Sequence, residues 1–573
     1  IEGVFANMPE PLLEEPSGTT SIGARLRELV RETRSLYNLE KPDTILPNLL
    51  LIWDLVQGSD TRSLAPDGLI RMATLRERVA AAIVLASGLR ISARVDRPFV
   101  AAGDVIPVNV TVSNPGSETL RVQLSLTAPW FAVIDNSHLH LSPGTRVSET
   151  LTLGLSEDAA ITIGRGVGES ATEEALSPLY PHWFSFYVEG SLQISQREVW
   201  IGRVRVEHIR VDADFPEYRF TDLQVMPDPS LRPRHRVVAL PTRPGQSSVA
   251  EVEFLVSTLK GGKVEVTPEA PSGWQVEPPV RSVDTEAGIP IPVAFRVRAL
   301  QETKQAVYLR ARARLAGSES SSQQGFQIID YPHIRTGAML ENARIRLVPF
   351  PCKVPQNLRV GYVAGSGDDV VRAIEALGVP VQHLSRKDLL EGDLSRYDAI
   401  VTGVRAYKVR RDLQAAHSRL MSYVQQGGNM VVQYNKLEFN DGKPASPFAP
   451  FARTSVGQRR VTAENSPVML QKPEHILFRQ PNVIGGTDWD GWVQERGLYF
   501  LDFQDPRYED LIQLEDTWPD NGGLQGGALV TARVGKGYWS YVGLSLFRQL
   551  PAGVPGAYRL LANLLALSQQ RGI

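Results

Sequence analysis

His138 and His140 stand two residues apart, with Leu139 and Leu141 in the alternate positions. On a β-strand this spacing puts both imidazoles on one face and both leucines on the other. Two imidazoles so placed would bind a metal ion if a third ligand came from elsewhere; a polar strand face is the plainer reading. Spacing supplies no third ligand: His417 lies in a helical stretch, and His475 beside Glu474 has no partner at a ligand interval. Neither His-Glu-x-x-His nor Gly-x-Ser-x-Gly occurs. Cys352 is the single cysteine, which excludes an internal disulfide and a cysteine-rich zinc site. Gly365-Ser366-Gly367-Asp368-Asp369 joins a strand pattern to a helix pattern, where backbone N–H groups can cradle an anion. Its two aspartates repel anions, so a tight turn with an Asp helix cap competes. From Thr487 to Gly497, Trp489, Asp490, Trp492, Glu495 and Arg496 lie close together. Indole faces beside carboxylates equip a sugar site; they also suit a buried loop held by an Arg–carboxylate pair. Asp368, Arg405, Asp490, Trp492, Glu495, Arg496 and Arg548 are the candidate binding residues.

These groups need a scaffold, and 573 residues supply about three to five domains. Hydrophobic residues at 42% and charged residues at 22% exclude disorder as the main state. With 61 Lys+Arg against 63 Asp+Glu, the net charge of −2 argues against a dedicated nucleic-acid binder. No run approaches the roughly 18 apolar residues of a membrane span. The chain begins Ile1-Glu2-Gly3, without Met or a signal peptide, and is expected to be a processed or partial product.

Ile22, Leu26, Leu29 and Val30 fall on one helical stripe, and Met72, Leu75, Val79, Ala82 and Ile83 on another. Thr20 and Ser21 are candidate N-caps, while Pro42 and Pro47 break the pattern. From residue 92 the period becomes two: Ile106, Val108, Val110 and Val112, then Leu120, Val122, Leu124 and Leu126. The pattern returns 144 residues later, Val108 matching Val252 and Trp130 matching Trp274. A bulky ring at the same point of two sandwiches predicts a core plug between sheets. The aromatic run Tyr180, Trp183, Phe184, Phe186 and Tyr187 either caps the first sandwich or lines a sugar-binding face. After residue 357, apolar strands alternate with helices, which predicts a mostly parallel sheet. The expected fold is multidomain: an N-terminal helical segment (1–90), two β-sandwich (Ig-like) domains (91–212 and 213–330), a linker (331–356) and a C-terminal α/β domain (357–573).

In strand order, residues 357–570 resemble the class I glutamine amidotransferase-like fold. That resemblance places a nucleophilic Cys on a sharp turn, whose counterpart is Tyr434-Asn435-Lys436, and a His and Glu near Leu544-Ser545-Leu546-Phe547-Arg548. Neither set is present, which implies a domain inactive in thiolate chemistry. Four motifs carry a wider resemblance: Gly361-Tyr-Val-Ala-Gly-Ser-Gly-Asp-Asp369, Gly403-Val-Arg-Ala-Tyr407, Trp489-Asp-Gly-Trp-Val-Gln-Glu-Arg-Gly-Leu-Tyr499 and Phe547-Arg-Gln-Leu-Pro-Ala-Gly-Val-Pro-Gly-Ala-Tyr-Arg559. Together they resemble the C-terminal half of large bacterial PIG-L (LmbE-like) deacetylases. In that family a preceding zinc domain removes acetyl groups from N-acetylglucosamine-type substrates. Its His-Pro-Asp-Asp and His-x-x-His motifs do not occur here. The resemblance therefore implies an accessory region that partners an N-terminal deacetylase domain and takes no cofactor itself. Under it the sandwiches serve as spacers or glycan-binding modules. Two other readings stand: a sugar-active hydrolase using Asp368, Arg405, Asp490, Glu495 and Arg548, or a structural extracytoplasmic protein. The sandwich architecture suggests the extracytoplasmic location by analogy.

Overall fold

The structure is a computed structural model that describes residues 22–59, 66–127, 132–133, 135–159, 161, 186–211, 218–243, 245–518 and 521–569. The chain is multidomain and rich in β-structure. Trp130 and the aromatic positions from Tyr180 to Phe184 lie outside the described residues.

Three helices come first: α1 (Ile22–Leu36), α2 (Leu46–Gly58) and α3 (Pro66–Ala86). Leu26 and Leu29, Ile52 and Val56, and Met72, Val79 and Ile83 turn inward at helical spacing. Pro47 was expected to break the pattern; instead it sits in the first turn of α2, where no backbone N–H is needed.

The longer strands that follow are β1 (Arg90–Arg94), β2 (Val105–Asn114), β3 (Leu120–Thr127), β4 (Asn136–Leu141), β5 (Thr145–Leu155), β6 (Tyr187–Ile194) and β7 (Arg197–Val211). They hydrogen-bond in the order β5-β2-β1-β7-β6-β3-β4. The 15 residues of β7 let it pair with β6 through its first part, with β1 at Val206 and Glu207, and with Tyr218–Asp222 through its end. Its alternating apolar residues share one core with α1–α3, so the helical segment is not a separate body. The expected boundary at 212 also shifts. Tyr218–Asp222 extends β7, Gln224–Val225 pairs with Phe99–Val100, and Leu223 and Val225 join this first core.

The second unit has two main sheets, with the hairpin Gln324–Ile329 and Gly337–Asn342 beside Ser230. One runs β8 (Ser230–Pro233), β10 (Val249–Ser257), β14 (Ile291–Ala299), β12 (Trp274–Glu277). The other runs β9 (Val237–Thr242), β16 (Arg344–Pro351), β15 (Val307–Leu315), β11 (Gly262–Glu269), β13 (Arg281–Thr285). Phe254, Phe295 and Trp274 of the first face Val264, Leu309 and Leu347 of the second in one core. The segment 331–356, expected as a linker, carries β16 in the middle of this unit. β16 pairs parallel with β9 and antiparallel with β15, because Ile345 and Leu347 alternate inward.

The C-terminal sheet has the order β18 (Val381–His383), β17 (Val360–Val363), β19 (Ala399–Thr402), β20 (Asn429–Gln433), β23 (Gly537–Val542), β22 (Leu529–Val534), β21 (Tyr508–Asp510). Pairing is parallel from β18 to β23 and antiparallel beyond. Successive strand residues enter two different cores. Val401 and Val431 meet α4 (Val370–Ala376) and α6 (Pro555–Ala566); Ile400 and Val432 meet α5 (His417–Gln426). Ala239, Val348 and Phe350 of the second unit also pack into the first of these cores.

Candidate functional site

Parallel strands end on one rim, and the loops after β17, β19, β20 and β23 gather there. The crevice outside β17 and β19 is the switch point of the sheet, since β18 lies on one side of β17 and β19 on the other. Asp368 fills it. One carboxylate oxygen accepts from the Val404 N–H at 2.8 Å; the other accepts from the Val370 N–H at 3.2 Å and from the Tyr362 hydroxyl. Burial, then the Asp368 charge, push the Tyr362 hydroxyl far above its ordinary value. A Cβ on Gly365 would meet the Val404 carbonyl at 2.0 Å, so glycine is what lets the two loops close. The Gly365–Asp369 run is thus a tight turn whose Asp368 carboxylate is held by the Val370 and Val404 N–H groups. The cap of α4 is a further difference: Asp369 makes no side-chain cap bond, and Asp368 serves the helix instead.

Arg405 follows β19 with φ 53, in the left-handed region. Its N–H donates to the Tyr434 carbonyl at 2.8 Å, and its Nε donates to Glu438 Oε1 at 2.7 Å. A strained strand-to-helix turn is the geometry that displays a nucleophile in hydrolases; here it displays a guanidinium. The resemblance put the corresponding turn one strand later, at Tyr434–Lys436. Tyr434 is buried between Tyr499, 5.6 Å away, and Phe547, 5.4 Å away. Its hydroxyl is pushed up to about 12, by burial first and then by Tyr499. Lys436 Nζ lies 5.5 Å over the Tyr499 ring. Arg548 Nε donates to the buried Glu495 at 2.8 Å, another of its nitrogens donates to Gln494, and it lies 4.9 Å over Phe547. Gln494 and Tyr499, like Arg405, have positive φ. Such strain concentrates where a structure fixes side chains for a purpose.

The structure therefore brings together Asp368, Arg405, Glu495 and Arg548 of the expected set. It separates out the tryptophan stretch. Trp489 and Trp492 are buried with ring centres 5.5 Å apart, so Trp492 offers no face to a sugar. Arg496 donates to the Trp489 carbonyl at 2.6 Å and the Ser466 carbonyl at 2.9 Å. Burial lowers its pKa to about 10. Asp490 is exposed and acts on Arg496 only at longer range. The Arg–carboxylate pairs that hold this loop are Arg548–Glu495 and Arg559–Asp488, the latter at 3.3 Å. Glu438 and Tyr499 were not singled out from sequence. Glu438 lies just past a strand end, which was legible; Tyr499 comes from an insertion between β20 and β21, which was not.

The strand register sets Arg121 opposite His140 and Gln123 opposite His138, both imidazoles exposed. Among the described residues no three of His, Cys, Asp and Glu are grouped to hold a metal ion. Burial raises the Cys352 thiol to about 12, the reverse of an activated nucleophile. No helix among the described residues is long and apolar enough to cross a membrane. A cavity of about 770 Å³ lies at the opposite rim, beside Tyr397, Asp398 and Gly427; another of about 640 Å³ lies between the two β-rich units.

No family model and no curated protein matches the chain. Among solved structures, a red sea bream transglutaminase is 10% identical, covering 50% of this chain and 34% of its own, at TM-score 0.18. An exo-β-1,4-mannosidase from Opitutaceae bacterium strain TAV5 is 12% identical, covering 37% and 35%, at 0.22. A PapD-like domain of human CEP192 is 10% identical, covering 22% and 89%, at 0.15. The chain thus spans about a third of the first two. Scores this low carry no argument about fold or activity.

Proposed function

We propose that the chain is the non-catalytic accessory part of a PIG-L type N-acetylglucosamine deacetylase, with two Ig-like sandwiches and a glutamine amidotransferase-like α/β domain. One observation carries the reading. At the rim where such a sheet places its chemistry, three candidate charged side chains are each committed to a neighbour: Asp368 to two backbone N–H groups and Tyr362, Arg405 to Glu438, Arg548 to Glu495. Groups committed to holding loops serve a scaffold, and the sandwiches then act as spacers or glycan-binding modules. The motifs Gly403–Tyr407 and Phe547–Arg559 support the family assignment.

The test is acetate release from N-acetylglucosamine oligomers with added zinc, by this chain alone and joined to a zinc-bearing catalytic domain. Activity is expected only in the joined protein. Turnover by this chain alone, lost on Glu495→Gln, overturns the reading in favour of a sugar-active hydrolase.

A further inference from the structure

The outer face of the five-stranded sheet in the second unit is strongly cationic. Along β15, Leu309, Ala311 and Ala313 point into the core, so Arg310, Arg312 and Arg314 point out, with Tyr308 ahead of them. On β16, Arg344 and Arg346 share that face, standing opposite Arg310 and Tyr308. Lys263, Glu265 and Glu269 of β11, with Asp284 of β13 opposite Lys263, complete it. Six cations thus meet three carboxylates. Glu265 is taken by Arg314 at 2.7 Å, and Glu269 accepts from Gln323 at 3.3 Å. Among the described residues, the exposed Arg310, Arg312 and Arg346 have no side-chain hydrogen bond or ion pair.

The opposite face of the same unit is different. There Arg296 stands between Glu251 and Glu277, and Arg298 donates to Gln275 at 3.1 Å. An excess of arginine on one face only is not general solvation. It is also not filler at a domain contact, because β16 divides: Val348 and Phe350, on the same side, are covered by the C-terminal core, whereas Arg346 is exposed.

We propose that this face binds an acidic polysaccharide, a chain of sugars bearing carboxylate or sulfate. The proposal rests on the reading of the sandwiches as glycan-binding modules and names the substrate class. Alternate residues of a strand lie about 6.7 Å apart and neighbouring strands about 4.8 Å apart. The arginines therefore form a flat grid that meets anions repeated along an extended chain. Guanidinium forks suit carboxylate and sulfate better than ammonium groups do. Arg344 lies 5.1 Å over Tyr308, which fixes its fork, and the Tyr308 ring stays 48% exposed for a sugar face. The grid runs on into the cavity between the β-rich units, which Arg310 and Arg344 line.

The full chain is titrated calorimetrically with polygalacturonate, heparin, neutral chitin oligomers, duplex DNA and phosphatidylserine vesicles, at low salt and at about 0.5 M salt. Salt-sensitive binding of polygalacturonate or heparin is expected; polygalacturonate carries carboxylate alone, so its binding shows that sulfate is not required. The Arg310→Gln, Arg312→Gln, Arg346→Gln variant should bind on the order of tenfold more weakly, three exposed ion pairs being of modest worth each. Arg296→Gln with Arg298→Gln should bind as the parent does, and both variants should keep its melting temperature. Equal affinity in the triple variant, or tighter binding of DNA or vesicles, overturns the proposal. Binding of chitin oligomers alone sinks this proposal but leaves the glycan-module reading standing; no binding of any glycan sinks both.

Discussion

Asp368 shows how one side chain decides a site. Its carboxylate closes the switch-point crevice by accepting from Val370, Val404 and Tyr362. Asp368→Ala leaves the Val404 N–H and the Tyr362 hydroxyl without their acceptor, so a loss of about 2 kcal/mol is expected in urea unfolding. A midpoint equal to the parent's would show that the two loops do not depend on it. Cys352 is buried, with a thiol raised to about 12. It should resist iodoacetamide in the native protein and react fully in denaturant; rapid native alkylation would contradict the burial. His417 and His475 are both held below the ordinary imidazole value by burial. His475 Nδ1 also accepts from the Leu477 N–H at 3.2 Å, a bond only the unprotonated nitrogen can take. The unfolded state therefore binds more protons on acidification. Stability should be complete above about pH 6.5 and fall as pH drops below it. Melting temperatures from about pH 7.5 to about pH 6 check this, with His475→Asn expected to flatten the slope.

Elements pack this closely because glycines stand where a Cβ would collide. Gly190 sits at the register shift between β6 and β7, and a Cβ there would meet the Gln123 carbonyl at 1.9 Å. Gly556 in the first turn of α6 lies against the Asp488 carbonyl, 1.8 Å from where its Cβ would be. Gly556→Ala must push α6 off the turn Gly486–Trp489, at a cost of about 1–3 kcal/mol. A variant with unchanged thermal stability would mean that this turn yields freely. The same contact explains the buried tryptophan stretch: Trp489 and Trp492 serve α6 and its core, not a ligand. The alternation in β2 and β3 was plain from sequence because one face of each strand is apolar. β16 was missed because Arg344-Ile-Arg-Leu347 is short and runs into Val348-Pro349-Phe350, all buried, which masks the period.

At the scale of the whole molecule, the units are joined by charge as well as by core. Arg197 grips Asp54 of α2 at 2.7 Å, Lys260 reaches Asp104 at 2.5 Å, and Arg335 reaches Asp222 at 2.8 Å. The more exposed Arg197 and Arg335 pairs set orientation more than stability, whereas the Asp104 carboxylate is buried. The apolar joint between α1–α3 and the first strands is of another kind, since both belong to one core. Removing residues 1–88 should expose that core, raising dye binding by exposed apolar surface and causing aggregation. A soluble, monomeric remainder with the parent's melting temperature would show the helices to be dispensable.

The sequence by itself determined the elements: helical stripes before residue 90, period-two strands in two related sets, and alternating strands and helices after 357. Those follow from which face of each segment must leave water, and that is written in residue order. Only the tertiary structure decided which elements share a core, that 344–351 completes the second unit, and that Arg405, Glu438, Tyr434 and Tyr499 meet at one rim. Such partnerships join residues far apart in the chain, and no local period encodes them. The same holds for the arginine face: each strand shows its own alternation, but the register of β15 against β16 is what makes the separate arginines one surface.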